Sequence, residues 1–398
     1  LWPIRQDGNE REERTMAQLV DRRSGATPSG QATEAGDGSE AGEILGLSPE
    51  QLTTQSWRLI QNLADALPDD VVRFARQALA EDHPEQALSA IVFGCLRHGT
   101  SITTVEYAVL AECLLAVGDD ISVLDHVTVG DVERQVLFDF VAVPESLADL
   151  LGAGGPDSGS PDPDSDDEEG TDAAARAIDR AVAARFGTSS AALGVWRAWR
   201  YPVTGAAWPP PTPVYLVEAR DEVAAQELAM AYYSVQDRNP PLGEPVVEVY
   251  PSGTELPALH RAVQFAGDLV FEASAPPFFT FADVFDGEPD VDGLPQNLTR
   301  VSQDEADRLI TYLLSGTPML VADAQGEDVL DPGRGQSVPL HLRTDGVWIW
   351  SDASAYYLRE HLIGPPTAFH AYLQTVDGVT ERVSDVTLHQ AVTWLQSS

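Results

Sequence analysis

"HLRTDGVWIWSD", His341 to Asp352, decides how the second half of this 398-residue chain is read. Asp345-Gly346 is the dipeptide of a two-residue type I′ turn, in which both central positions take φ > 0. That turn would set Thr344 opposite Val347, Arg343 opposite Trp348, Leu342 opposite Ile349 and His341 opposite Trp350. Side chains alternate between the faces of a strand. One face then carries Leu340, Leu342, Val347 and Ile349, an aliphatic set that belongs in a core. The other carries His341 and Arg343 against Trp350 and Trp348, where an arginine over an exposed indole gains about 0.5–1 kcal/mol.

Two readings of that aromatic face stay open. In the first, a helix starting near Ser351 or Asp352 folds back and covers it with Tyr356 or Tyr357, so that the tryptophans are packing. In the second, His341, Arg343, Trp348, Trp350, Tyr356 and Tyr357 form a partly open platform for a peptide segment or a planar ligand. Trp, Tyr and Arg are the residue types that carry binding energy on such surfaces.

Around the hairpin, apolar periods of two and of 3.6 residues alternate. "PVYLVEA", "EPVVEVY", "DLVFEAS" and "PMLVAD" read as strands. "DAAARAIDRAVAARFG", "DEVAAQELAMAYYSV", "TELPALHRAVQFAG", "QDEADRLITYLLSG", "ASAYYLREHL", "TAFHAYLQ" and "DVTLHQAVTWLQ" read as helices, the fourth of these capped by Ser302 and Glu305. "PPFFTFADVFDGEPDVDGLPQNL" reads as a long loop with buried aromatics, and "WRAWRYPVTGAAWPPPTP" takes no assignment. Residues 172–398 are therefore an α+β domain, as one body or as two subdomains divided near 300.

Toward the N-terminus the pattern changes. Residues 1–44 are polar, with too few apolar anchors to offset their ordering entropy, and read as disordered. Ser48 with Gln51 and Thr103 with Glu106 mark two capped helix starts, Pro68 and Pro84 open two more helices, and Gly99 and Gly118 stop the third and fourth. Residues 45–150 are read as a small all-α domain, with "DHVTVGDVERQVLFDFV" undecided between strand and helix. Residues 151–171, "LGAGGPDSGSPDPDSDDEEGT", are a Gly, Pro, Ser and acidic stretch that excludes a packed core and is read as a disordered linker.

The charge is extreme: 24 Lys+Arg, all of them arginine, against 63 Asp+Glu, a formal net charge of −39. Such a chain repels phosphate backbones and anionic lipid surfaces, which argues against nucleic acid and against membrane attachment. Basic proteins, cations and neutral ligands are the easier partners. No apolar run is long enough to cross a membrane, and no signal-like core opens the chain, so the expected location is the cytoplasm. The composition, lysine-free and rich in Ala, Asp, Gly and Pro, points to a GC-rich genome, and acidity with little lysine also suits a halophile. Cys95 and Cys113 lie on apolar helical patterns and read as small buried hydrophobes.

Catalytic signatures are incomplete throughout. Cys95 and His98 share a helix face without an activating neighbour, and the eight histidines lack metal-ligand spacing. Two acidic stretches imitate calcium loops, but their twelfth positions are Ala173 and Thr299 where a glutamate is required. No phosphate-binding glycine loop and no nucleophile elbow occur; "DPGRGQS", Asp331 to Ser337, is a turn with Arg334 as a weak anion-site candidate. His361 reads as a charge favoured at a helix C-terminus. No metal or cofactor is expected.

"RTDGVWIWSDASAYYLREH" and "DVTLHQAVTWL" resemble a family of actinobacterial proteins of uncharacterised activity, mycobacterial members included, found near specialised secretion and toxin loci. The resemblance covers the chain from about Thr171 onward, implies a protein-binding accessory role, and carries over no catalytic residue. The expectation is a non-enzymatic protein binder, such as a secretion-linked chaperone, an adaptor or a toxin-neutralising protein, whose partner is basic or secreted. The alternative is an enzyme or small-molecule sensor with its site between the strand ends and the Pro276–Pro295 loop.

Overall fold

Ser48 closes a reciprocal cap: its Oγ accepts from the Gln51 N–H at 3.2 Å, and Gln51 Oε1 accepts from the Ser48 N–H at 2.9 Å. Two of the donors orphaned at a helix start are thereby satisfied. The helix that follows is α1, Pro49–Leu63. It belongs to a computed structural model that describes residues 47–130, 138–142, 167–202, 212–234, 245–287, 295–296 and 298–397. The chain falls into two units, divided between Arg134 and Gln135. The expectation of disorder over 1–44, and most of the expected linker, lie outside the described residues.

The first unit continues with α2 (Asp69–Ala80), α3 (Pro84–His98) and α4 (Thr104–Val117), the last opened by the same reciprocal cap between Thr103 and Glu106. Gly99 and Gly118 take the left-handed conformation that ends α3 and α4. Inside α3, Gly94 lets α2 approach: a Cβ there would lie 2.9 Å from Val71 Cγ1 and 3.1 Å from Leu67 Cδ2. Leu59, Ile60, Leu63, Leu79, Leu88, Ile91 and Leu110 are buried in this unit. The stretch left undecided resolves into a 3-10 turn at Ile121–His126, a parallel bridge from Val129 to Ile102, and β1 (Phe138–Val141). β1 lies beyond the Arg134–Gln135 division and pairs with a strand of its own, second unit, so the helical unit ends before the expected residue 150.

After β1 the second unit continues with α5, Asp167–Gly187, which takes in the last residues expected to be linker. Next come β2 (Ala192–Pro202), β3 (Thr212–Ala219), α6 (Glu222–Tyr233), β4 (Val246–Pro251), α7 (Ala258–Ala266) and β5 (Asp268–Glu272). β2 is the long central strand, antiparallel to β3 on one edge and to β1 and β5 on the other; β3 and β4 are parallel, joined through α6. Sequence reading assigned nothing to β2. Val195, Trp196, Ala198 and Trp199 are all buried, so both of its faces are covered and no period-two signal is left. Its Arg197 is buried between Asp179 (2.6 Å) and Asp268 (2.9 Å), and Asp179 also accepts the Tyr215 hydroxyl at 2.7 Å.

A second sheet runs β6 (Thr280–Ala282), β11 (Trp348–Ser351), β10 (Leu342–Thr344), β7 (Thr317–Leu320), and β8 (Gln325–Glu327) pairs separately with β9 (Gln336–Pro339). β6, β8 and β9 were not expected. β6 comes from before residue 300 yet joins the second sheet, so the sheets do not divide where the subdomain boundary was expected. Helices α8 (Gln303–Ser315), α9 (Ala353–His361), α10 (Thr367–Leu373) and α11 (Asp385–Ser397) complete the unit.

α11 belongs to both sheets. Glu218, fully buried on β3, accepts the N–H groups of Asp385 (2.8 Å) and Val386 (2.9 Å) at the start of α11. Burial pushes the Glu218 carboxyl up to about 7, opposed by these N–H donors. Further along, Ala391 and Trp394 pack on Ile349 of the second sheet and on Phe279, which immediately precedes β6. The protein is thus mixed helix and sheet. Among the described residues, no helix is long and apolar enough to cross a membrane.

Candidate functional site

The hairpin is built differently from the expected type I′ turn. Its pairs are Thr344 with Ile349, Arg343 with Trp350, and Leu342 with Ser351, which leaves a four-residue loop. Only Gly346 has a positive φ, +90°; Asp345 does not. Side chains shape the loop instead: Asp345 Oδ1 accepts the N–H groups of Val347 (2.9 Å) and Trp348 (2.8 Å). Thr344 Oγ1 donates to the Trp348 carbonyl (2.7 Å) and accepts the Gly346 N–H (2.9 Å). This Asx-type loop slips the register by two residues, an even number, so each side chain keeps its expected face.

The aromatic face is core. Trp350 is wholly buried and Trp348 half-buried. Phe369 of α10 lies 4.9 Å from the Trp348 ring and 5.6 Å from the Trp350 ring, and Tyr312 of α8 lies 6.2 Å from Trp350. Such ring pairs add about 0.5–1.5 kcal/mol each beyond their buried area. The Trp350 Nε1–H donates to the Leu313 carbonyl at 3.1 Å. The reading as an open platform is therefore overturned, because helices α8 and α10 fill the space a ligand would need. On the opposite face Ile349 is buried, but Leu340 and Val347 are exposed, contrary to expectation.

The other expected binding residues are also committed to the fold. Arg343 Nε and Nη2 donate to Asp352 Oδ1 (2.7 Å) and Oδ2 (3.3 Å), and Nη1 donates to the carbonyls of Leu314 and Gly316, both at 3.0 Å. His341 Nδ1 accepts the Ala322 N–H. Tyr356 and Tyr357 are buried, yet they do not cover the tryptophans; they pack with Val338, Ala353 and Ile363, and Phe285 stands 4.7 Å from the Tyr357 ring. Arg334 is paired with Asp331 and Glu360, which removes it as an anion site.

Two polar clusters in this unit invite a chemical reading. In the first, His361 Nε2 meets the buried Asp328 Oδ2 at 2.7 Å, Tyr356 donates to the same oxygen at 3.0 Å, and Ser337 Oγ lies 2.8 Å from the Tyr356 hydroxyl. The single Tyr356 proton goes to Asp328, so Ser337 must donate to Tyr356. Ser337 Oγ thus bonds a neutral phenol rather than an imidazole or a carboxylate, the direct partners that activate a serine. Burial alone would raise the Asp328 carboxyl, but donors from His361, Leu330, Tyr356 and Asp331 outweigh it and hold it below the usual range.

In the second, Tyr312 and Tyr372 both donate to Asp345 Oδ2, at 2.8 and 2.7 Å, beside a cavity of about 460 Å³. With two N–H donors on Oδ1 as well, this carboxylate has no acceptor site left for a ligand. Among the described residues, no group of three His, Cys, Asp or Glu side chains is placed to hold a metal ion. Comparison with family models, curated proteins and solved structures finds no match for this chain.

An open apolar surface lies in the helical unit. A depression of about 660 Å³ runs between α2 and α3, floored by Val71 and Ala90 and bracketed by Phe74 (50% exposed) and Phe93 (59% exposed). It continues past Phe93 into a second hollow of about 320 Å³ toward Leu96, Leu114 and Val123. Asp70, Glu85 and Asp119 stand on its rim. Sequence reading missed this groove, although a signal was present. α3, "PEQALSAIVFGCLRH", is apolar on more than one face, whereas a helix packed on one side alone carries a single apolar stripe.

Proposed function

We propose that this protein is a non-enzymatic, protein-binding accessory protein whose docking surface is the groove between α2 and α3. The observation that carries the reading is the pair Phe74 and Phe93, two large aromatics half or more exposed on either side of one depression. Contiguous apolar surface with a polar rim is the mark of an interaction site rather than of ordinary surface. The saturated acceptors around Asp345 and the unactivated Ser337 chain favour this reading over an enzyme or small-molecule sensor. A secretion-linked chaperone, an adaptor and a toxin-neutralising protein all fall within it, as does a cytoplasmic location, and the resemblance to actinobacterial proteins of secretion and toxin loci supports the same group of roles.

The test is photo-crosslinking from Ser89, an exposed position on the groove wall, in the full chain. A discrete protein adduct that disappears in Phe74→Ser/Phe93→Ser, with helical content unchanged, is the expected result. Identical adducts from both proteins would reject the groove.

A further inference from the structure

We propose that the occupant of the α2/α3 groove is a basic amphipathic helix: one apolar face flanked by arginine or lysine. The inference rests on the groove being a docking surface and specifies what docks there.

The backbone chemistry comes first. The groove walls are two helices, whose N–H and C=O groups pair internally along their length. They offer no free strand edge, so an extended peptide would leave its own backbone groups unpaired on an apolar floor. A helix brings its backbone bonds with it and docks through anchors at i, i+3 or i+4, and i+7. From Glu85 to Leu96 the α3 wall rises roughly 16 Å, which seats about three turns of a partner helix.

Charge comes second. Glu85 lies at the start of α3, Asp70 at the start of α2, and Asp119 just beyond α4, so carboxylates stand at separate points around the apolar floor. All three are exposed. Arg97, whose guanidinium lies 5.9 Å from the centre of the Phe93 ring, is a single positive charge set against these three carboxylates. A helix flanked by glutamates would meet like charge here, and a second copy of this chain, at −39, has the wrong sign.

The experiment uses the full chain and three synthetic helical peptides with one shared leucine face, flanked by arginine, glutamine or glutamate, read by fluorescence anisotropy. The expected order is Arg, then Gln, then Glu, with about tenfold or more between the extremes at low salt. That gap should shrink in high salt, where the screening length is a few ångströms. Asp70→Asn/Glu85→Gln/Asp119→Asn should narrow it as well, and Phe74→Ser/Phe93→Ser should weaken all three peptides. Equal binding of the three would overturn the basic partner while leaving the groove a docking site. Binding by none of them would overturn the docking surface itself, and preference for the Glu peptide would reverse the charge assignment.

Discussion

Arg343 and Asp352 form a two-point ion pair inside the second unit, with side chains 14% and 6% exposed. Arg343 lies within β10 and Asp352 just after β11, and the guanidinium's remaining donor ends on the carbonyls of Leu314 and Gly316. Removing one partner of such a pair strands the other. Arg343→Ala is expected to cost about 3–5 kcal/mol in urea denaturation. Arg343→Lys keeps the charge but not the fork, and should recover little of the loss. A loss under about 1 kcal/mol for the alanine variant would show that the pair contributes no more than a surface one.

Gly316 sits where α8 meets β7, against the indole of Trp350. A Cβ there would lie 2.3 Å from Trp350 Cζ2, with Arg343 Cβ at 3.2 Å. Gly316→Ala should destabilise by roughly 1–3 kcal/mol through overpacking. Gly130→Ala, where a Cβ meets nothing within 4 Å, is the matched control and should change little. Near-ultraviolet circular dichroism of the tryptophans, with a denaturation midpoint, distinguishes the two.

Glu218 makes stability depend on pH. Its folded value of about 7 lies above the ordinary glutamate value near 4.3, so the folded state holds an extra proton between those limits. The stability contributed by this group is fully present below the lower limit, falls as pH rises through the window, and is flat above it. Glu218→Gln removes that slope. Urea midpoints of both proteins at pH 5 and pH 8 give the test; equal pH differences in the two would refute it.

Cys95 and Cys113 are both buried, and burial pushes the Cys113 thiol up to about 11. Thiolate is the reactive form. Neither cysteine should be alkylated by iodoacetamide at pH 8 in the native protein, and both should be in urea. Intact mass reads the outcome, and native labelling would place at least one thiol at the surface.

Local rules made the helical unit legible. The caps at Ser48 and Thr103, and the stops at Gly99 and Gly118, each act within a few residues, so the letters suffice. Most strands and helices of the second unit were readable for the same reason. β2 was not, because burial on both faces erases alternation. β6, β8 and β9 are three or four residues long, too short to carry a period.

The hairpin shows where local rules stop. Asp345-Gly346 was read through backbone preference, but the Asp345 carboxylate and the Thr344 hydroxyl set the loop. Faces survived because the slip was even; exposure did not, because α8 and α10 approach from residues distant in sequence. The groove went unread for a related reason: an apolar α3 looks the same whether its outer face is covered by its own chain or by a partner.

α11 acts as a shared strut. Its first turn hangs from Glu218 in one sheet while its later turns rest on Ile349 in the other and on the adjoining Phe279, so neither sheet can loosen without disturbing the same helix. The second unit should therefore melt as a single cooperative event. In a scanning calorimeter the enthalpy taken from the width of that transition would equal the heat absorbed across it.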